Sequence, residues 1–283
     1  MFTFRKYFEF VRFSHTAFAL PFALASMVVA ARGWPGWRVF LLILAAMVCA
    51  RTAAMGLNRI VDRQFDAANP RTEKRHLPAG KITVASASVL TCLSACGLLA
   101  VSWFINPICF FLSPVALAVV FIYSFTKRFT DWSHFFLGLA LALAPIGAWL
   151  AVRGGFDWSP VVLALAVVFW LVGFDIIYAT QDVEFDRQAG LHSLPARWGV
   201  AGSLKFAAAA HAVMTGVLLA FGLISRMGWP YFVGLAAIAG CLVMQHWLAR
   251  KQDVVSLNVA FFRMNAIISV VFLVAVVADV AMR

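Results

Sequence analysis

Long apolar runs separated by short polar clusters dominate the chain. A window of about 19 residues isolates nine of them, near 14–31, 37–57, 84–104, 107–124, 135–152, 159–180, 203–224, 229–248 and 259–281. Each is long enough to cross a hydrocarbon core as a helix. The pattern predicts an all-α, polytopic membrane protein with nine transmembrane helices, forming one domain over 1–283. Pro21 lies inside the first run, where a membrane helix tolerates it. Residues 1–13 set Phe2, Phe4, Tyr7, Phe8, Phe10 and Phe13 among Arg5, Lys6 and Arg12, which predicts an amphipathic lead-in on the membrane surface. The run that follows is long enough to stay as a span rather than serve as a cleaved leader.

Composition agrees. The chain is 63% hydrophobic and 12% charged, against about 25% charged in soluble domains. The net charge of +11 is unevenly placed: of 23 Lys and Arg, 17 fall on the side that holds the N-terminus. That bias predicts a cytoplasmic N-terminus and an odd number of spans. The charge then reflects topology and contact with anionic lipid, with no role in nucleic-acid binding. Cys49, Cys92, Cys96, Cys109 and Cys241 lie in apolar runs without metal-ligand spacing and act as small hydrophobes.

The polar clusters carry the chemistry. Asp62-Arg-Gln-Phe-Asp66 and Asp182-Val-Glu-Phe-Asp186 stand 120 residues apart, each at the end of an apolar run and each followed by Leu-Pro-Ala. Four-residue spacing puts both carboxylates of a pair on one helix face. A hard divalent cation such as Mg²⁺ relieves their repulsion, and it commonly binds one or two carboxylates together with substrate phosphates. Asn58 extends the first stripe to three oxygen-bearing side chains, and Tyr178 holds the matching place in the second copy. Arg71, Lys74, Arg75, His76 and Lys81 crowd the loop after the first motif, between the helix breakers Pro70, Pro78 and Gly80. They form either a solvated loop or a phosphate site. Lys127, four residues after Tyr123, reads alone as an interfacial lysine. Asp175 sits in an otherwise apolar helix, and an intramembrane carboxylate is a functional candidate. His15 either serves the start of the first span or contacts a polar substrate.

Two carboxylate pairs and a basic loop at one membrane face suit a diphosphate held by two Mg²⁺ ions, which neutralise charge on the leaving group. An allylic lipid losing diphosphate leaves a cation that an aromatic face such as Tyr178 stabilises. A carrier is the rival from another class, although carriers place their binding residues near the bilayer midplane. A lipid-binding scaffold is a further rival, but it has no need of four positioned carboxylates.

Four stretches resemble the signatures of the UbiA superfamily of intramembrane aromatic prenyltransferases. They are Asn58-Arg-Ile-Val-Asp62-Arg-Gln-Phe-Asp66, Arg71-Thr-Glu-Lys-Arg75-His-Leu-Pro, Tyr123-Ser-Phe-Thr-Lys127-Arg128 and Asp175-Ile-Ile-Tyr178-Ala-Thr-Gln-Asp182-Val-Glu-Phe-Asp186. The resemblance implies nine helices around a central, lipid-accessible cavity with a cytoplasmic cap, in a bacterial cytoplasmic membrane. It implies Asn58, Asp62, Asp66, Asp182 and Asp186 as metal ligands, and Arg59, Arg71, Arg75 and Lys127 as diphosphate ligands. Asp175 and Tyr178, with Lys127, become reaction-cavity residues. The substrates so implied are a polyprenyl diphosphate and an aromatic acid. The nearest subgroup resembles 4-hydroxybenzoate polyprenyltransferases of ubiquinone synthesis. The stretches Arg12-Phe-Ser-His15-Thr-Ala-Phe-Ala-Leu-Pro21 and Gly173-Phe-Asp-Ile-Ile-Tyr resemble a branch found in some menaquinone producers, whose acceptor is 1,4-dihydroxy-6-naphthoate. Both acceptors are aromatic carboxylic acids, and the sequence leaves the choice open.

Overall fold

The computed structural model describes residues 6, 7, 9–11 and 16–283, for 16 and 17 the backbone alone. Every regular element among them is helical, because hydrocarbon offers the backbone no outside hydrogen-bond partner. The helices are α1 (Thr16–Ala31), α2 (Trp37–Val61), α3 (Arg63–Ala68), α4 (Val84–Ile105), α5 (Pro107–Thr126), α6 (Ser133–Arg153), α7 (Trp158–Ala179), α8 (Val183–Gln188), α9 (Leu194–Ile224), α10 (Trp229–Ala249), α11 (Val254–Asn258) and α12 (Met264–Ala281). Eight of the helical segments are long and apolar enough to cross a membrane, and the shorter Phe18–Ala31 is apolar too. Each predicted run corresponds to one of these nine apolar segments.

The ends of two spans differ from the sequence expectation. The run from 203 is preceded by a turn beginning at Leu194, capped by Ser193, whose hydroxyl accepts from the Ala196 N–H at 3.3 Å. Gly199 (φ 71°, ψ 171°) then turns the chain into the membrane, a conformation glycine adopts at no steric cost. The last span opens on a π-helical stretch, Val259–Arg263. Buried side chains meet its carbonyls: Gln245 donates to Ala260 O at 2.8 Å and Asn265 to Phe261 O at 2.7 Å. Residues 1–5, 8 and 12–15 of the expected lead-in, including His15, lie outside the described residues. Phe10 and Val11 are buried against Met55, Ile82 and Ala87, so this part of the lead-in faces protein as well.

The centre of the bundle is α7. Leu163, Ala166, Val167, Trp170, Ile176 and Ile177 along it have no more than a trace of exposed surface, and it packs on α6 and α9. At its crossing with α6 the two backbones come close. A Cβ on Gly138 would stand 3.0 Å from Val168 O, tighter than ordinary contact, so a larger residue there would push the helices apart. On the α1 side, the Phe22 ring lies 4.7 Å from both Trp170 and Phe272, locking α1 and α12 to the core. Helices α1, α2, α5, α6 and α7 surround a cavity of about 260 Å³, while α4, α9 and α10 add no lining residue and buttress the ring from outside.

Candidate active site

Both acidic motifs are built the same way. Helix α2 ends at Val61, Asp62 (φ −87°, ψ 3°) follows, and the six-residue α3 carries Asp66. Helix α7 ends at Ala179, a single 3₁₀ turn ends on Asp182, and the six-residue α8 carries Asp186. The sequence predicts one continuous stripe through Asn58, Asp62 and Asp66. The structure inserts a break at Asp62 but keeps the register: Asp62 N–H donates to Asn58 O at 2.9 Å and Asp66 N–H to Asp62 O at 2.8 Å. A short helix hinged on a long span thus lifts the second aspartate of each pair to the cavity mouth.

All the predicted site residues line the one cavity. Asn58, Asp62, Asp66, Asp182 and Asp186 share it with Arg59, Arg71, Arg75 and Lys127, and with Asp175 and Tyr178. The loop after α3 straps the two halves together. Asn69 Nδ2 donates to Asp182 Oδ1 at 3.1 Å, and Arg71 Nε donates to the same oxygen at 2.8 Å. Arg71 Nη2 pairs with Asp182 Oδ2, and Arg71 Nη1 donates to the Tyr178 hydroxyl at 2.7 Å. On the other side Thr72 Oγ1 donates to Asp66 O at 3.0 Å and Arg75 Nη1 to Asp66 Oδ1 at 2.5 Å. All three arginines predicted to meet diphosphate therefore stand against an aspartate of a motif, Arg71 against Asp182, and Arg75 and (at 3.7 Å) Arg59 against Asp66.

The electrostatics follow from this crowding. Burial pushes the Asp62 carboxyl up to about 6; Lys127 opposes the shift, Asp66 adds to it, and Arg128 and Arg59 oppose it. Burial pulls the Lys127 ammonium down, but Asp186, Asp175, Asp182 and Asp62 outweigh it and hold its pKa above the ordinary value. A lysine among four carboxylates faces the cavity, not the lipid headgroups.

Several residues were missed by the sequence reading. Arg51 lines the cavity from inside the α2 span, and Asn69 lines it from the loop after α3. His134, fully buried, lies with Nδ1 2.6 Å from Asp175 Oδ2. Phe18, Phe174 and Phe261 join Tyr178 in the wall, with the Tyr178 and Phe261 rings stacked at 4.0 Å. Nothing in the local pattern separated these from other aromatics.

Among the described residues no three His, Cys, Asp or Glu side chains converge on one point. A metal here would draw its remaining ligands from water and from phosphate oxygens, the usual habit of Mg²⁺. The donors are hard oxygens, and the buried Asp66 Oδ2 has no hydrogen bond, an acceptor suited to a cation. The residues present fit such an ion.

Known proteins resemble this chain in sequence and fold. A 4-hydroxybenzoate octaprenyltransferase of Cupriavidus necator is 32% identical over 253 residues, covering 88% of this chain and 87% of its own. One of Pseudomonas aeruginosa is 33% identical over 264 residues, covering 92% and 87%. The apo structure of a UbiA homologue from Aeropyrum pernix superposes with a TM-score of 0.86 at 28% identity, covering 94% of this chain and 98% of that one. A UbiA homologue from Archaeoglobus fulgidus bound to GPP and Mg²⁺ shares the fold, with a TM-score of 0.77, 22% identity, and 98% and 99% coverage. A model of the UbiA prenyltransferase family matches residues 19–267, and the chain belongs to that family.

Proposed function

We propose that the protein transfers a polyprenyl group from polyprenyl diphosphate to an aromatic carboxylic acid, first of all 4-hydroxybenzoate, in respiratory quinone synthesis. The observation that carries this reading is the convergence of both acidic motifs, the basic strap and Arg51 on one cavity in the bundle. The names of the curated relatives support 4-hydroxybenzoate as the acceptor.

Asp62, Asp66, Asp182 and Asp186, with Asn58, would hold Mg²⁺, which when bound would neutralise charge building on the diphosphate. Arg59, Arg71, Arg75 and Lys127 hold the diphosphate oxygens and favour the leaving group as the C–O bond breaks. For Arg71 this means giving up part of its pairing with Asp182. Tyr178 and Phe261 line the wall where the allylic carbon gains positive charge, and the Tyr178 face that now lies under the Arg71 guanidinium, 4.9 Å from its centroid, opens to that carbon as Arg71 turns to the diphosphate. Arg51 meets the acceptor carboxylate in the apolar part of the cavity, where a guanidinium pairs with carboxylate in a fixed geometry. Asp175 takes the ring proton after the new C–C bond forms. The cavity wall excludes water that would otherwise capture the cation.

The test is product formation from polyprenyl diphosphate and a panel of labelled aromatic acids, including 4-hydroxybenzoate and 1,4-dihydroxy-6-naphthoate. Transfer to 4-hydroxybenzoate, lost in EDTA and restored by Mg²⁺, is expected. Transfer to the naphthoate alone would reassign the acceptor, and release of no diphosphate with any acid would return the protein to the carrier class.

The cavity mouth faces the cytoplasm on this reading, following the excess of Lys and Arg on that side. Reporters fused within 66–81 and 187–199 should both signal cytoplasm, and one at 154–157 the opposite compartment. Signals on opposite sides from the first two would separate the acidic motifs and end the shared-site reading.

A further inference from the structure

His134 stands at the start of α6 with no exposed surface. Its Nδ1 lies 2.6 Å from Asp175 Oδ2. A carboxylate only accepts, so Nδ1 is the donor. The Nε2 of the same ring is buried and has no hydrogen-bond partner. A histidine enclosed in a membrane bundle with half its polar capacity unmet does not serve stability well, since leucine of similar size would avoid the penalty. Unsatisfied buried groups of this kind call for a reason, and a catalytic partner is one. The fold also secures the contact. The close crossing at Gly138 and Val168 lies one turn beyond His134 and two turns before Asp175. It therefore sets the distance between the two side chains.

We infer that His134 is a positioning residue for prenyl transfer, holding the Asp175 carboxylate toward the acceptor ring so that it takes the ring proton. This rests on the transfer reading above. In the step concerned, the allylic C–O bond breaks and its electron pair leaves with diphosphate. A π pair of the acceptor ring then forms the new C–C bond. The proton on that ring carbon passes to Asp175, and the C–H electrons restore aromaticity. Asp175 lines the cavity beside Lys127 and Tyr178, and its other side is fixed by a single contact with an imidazole that itself has no other hydrogen bond among the described residues. Without His134 the carboxylate is free to turn toward Lys127, whose ammonium already feels its charge. Loss of the ring proton would then become slow.

The experiment compares His134→Asn, whose amide occupies the Nδ1 position, with His134→Gln, whose amide reaches the Nε2 position and leaves Asp175 without its donor. The acceptor is 4-hydroxybenzoate, either unlabelled or deuterated at the ring positions flanking the hydroxyl. Wild type should show an isotope effect near unity, because proton loss from the intermediate is fast. His134→Gln should lose about tenfold in kcat, at the lower edge of what positioned proton transfer contributes. It should keep its KM for polyprenyl diphosphate and gain a normal primary isotope effect, while His134→Asn should behave like wild type. If His134→Gln fails to accumulate in membranes, Asp175→Glu displaces the carboxylate along the same hydrogen bond and must raise the isotope effect instead. A loss with no isotope effect, a loss seated in KM for the diphosphate, or wild-type turnover in His134→Gln overturns the assignment. Wild-type protein that yields no prenylated acid overturns the transfer reading, and the role of His134 with it.

Discussion

Asp62→Ala and Asp182→Ala should each abolish prenyl transfer, with losses at or beyond about 10²–10³ in rate, the usual cost of one preorganised charge contact to a leaving group. The two variants differ in what else they disturb. Asp62 receives a single side-chain hydrogen bond, from Asn58 Nδ2 at 2.9 Å, so its removal leaves little unpaired. Asp182 receives Asn69 and both arms of Arg71, so its removal strands a guanidinium. Because the Arg71 side chain keeps 29% of its surface exposed, water recovers part of that loss. The stability cost then falls below the 3–5 kcal/mol of a fully buried pair, at about 1–3 kcal/mol. Asp62→Ala is therefore the cleaner test. The measurement is turnover at limiting Mg²⁺, beside a check of membrane insertion and thermal stability. Near-normal turnover in either variant would refute the two-metal reading.

Lys127→Met carries the second large effect. Read as an interfacial lysine, this residue is dispensable. Surrounded by Asp62, Asp175, Asp182 and Asp186, it instead balances carboxylates and, on the proposed reading, meets the diphosphate. Its loss should cost roughly 2–4 kcal/mol of transition-state stabilisation, or about 10²–10³ in rate. Lys127→Arg should recover only part, since a planar guanidinium does not replace a compact ammonium. The readout is turnover and apparent affinity for polyprenyl diphosphate with the aromatic acid saturating. A change smaller than about threefold, well under that range, would leave Arg59, Arg71 and Arg75 as the diphosphate clamps.

The spans were legible because the thickness of hydrocarbon fixes the length of an apolar run, and the acidic motifs were legible because four-residue spacing has one meaning on a helix. What escaped depended on contacts between distant segments. The pairing of Arg71 with Asp182 joins positions 111 apart, and no local pattern says which carboxylate a loop arginine will find. His134 and Asp175 are 41 apart and meet because a glycine lets two helices touch. Arg51 stands as a charge within an apolar run, but whether such a side chain points inward or snorkels is decided by neighbouring helices. The π-helical stretch at 259–263 adds a residue to a turn, and apolar periodicity is too coarse to register that.

The mixture of signs in the cavity has one more consequence. Its wall carries five carboxylates (Asp62, Asp66, Asp175, Asp182, Asp186) and six basic side chains (Arg51, Arg59, Arg71, Arg75, Lys127, Arg128). The wall is thus nearly neutral, and a bare anion or a bare divalent cation inside it meets nearly as many repelling groups as attracting ones. A lipid diphosphate already chelated to its metal meets a partner for both of its signs. The cavity in this sense favours the two ions arriving together over either arriving alone.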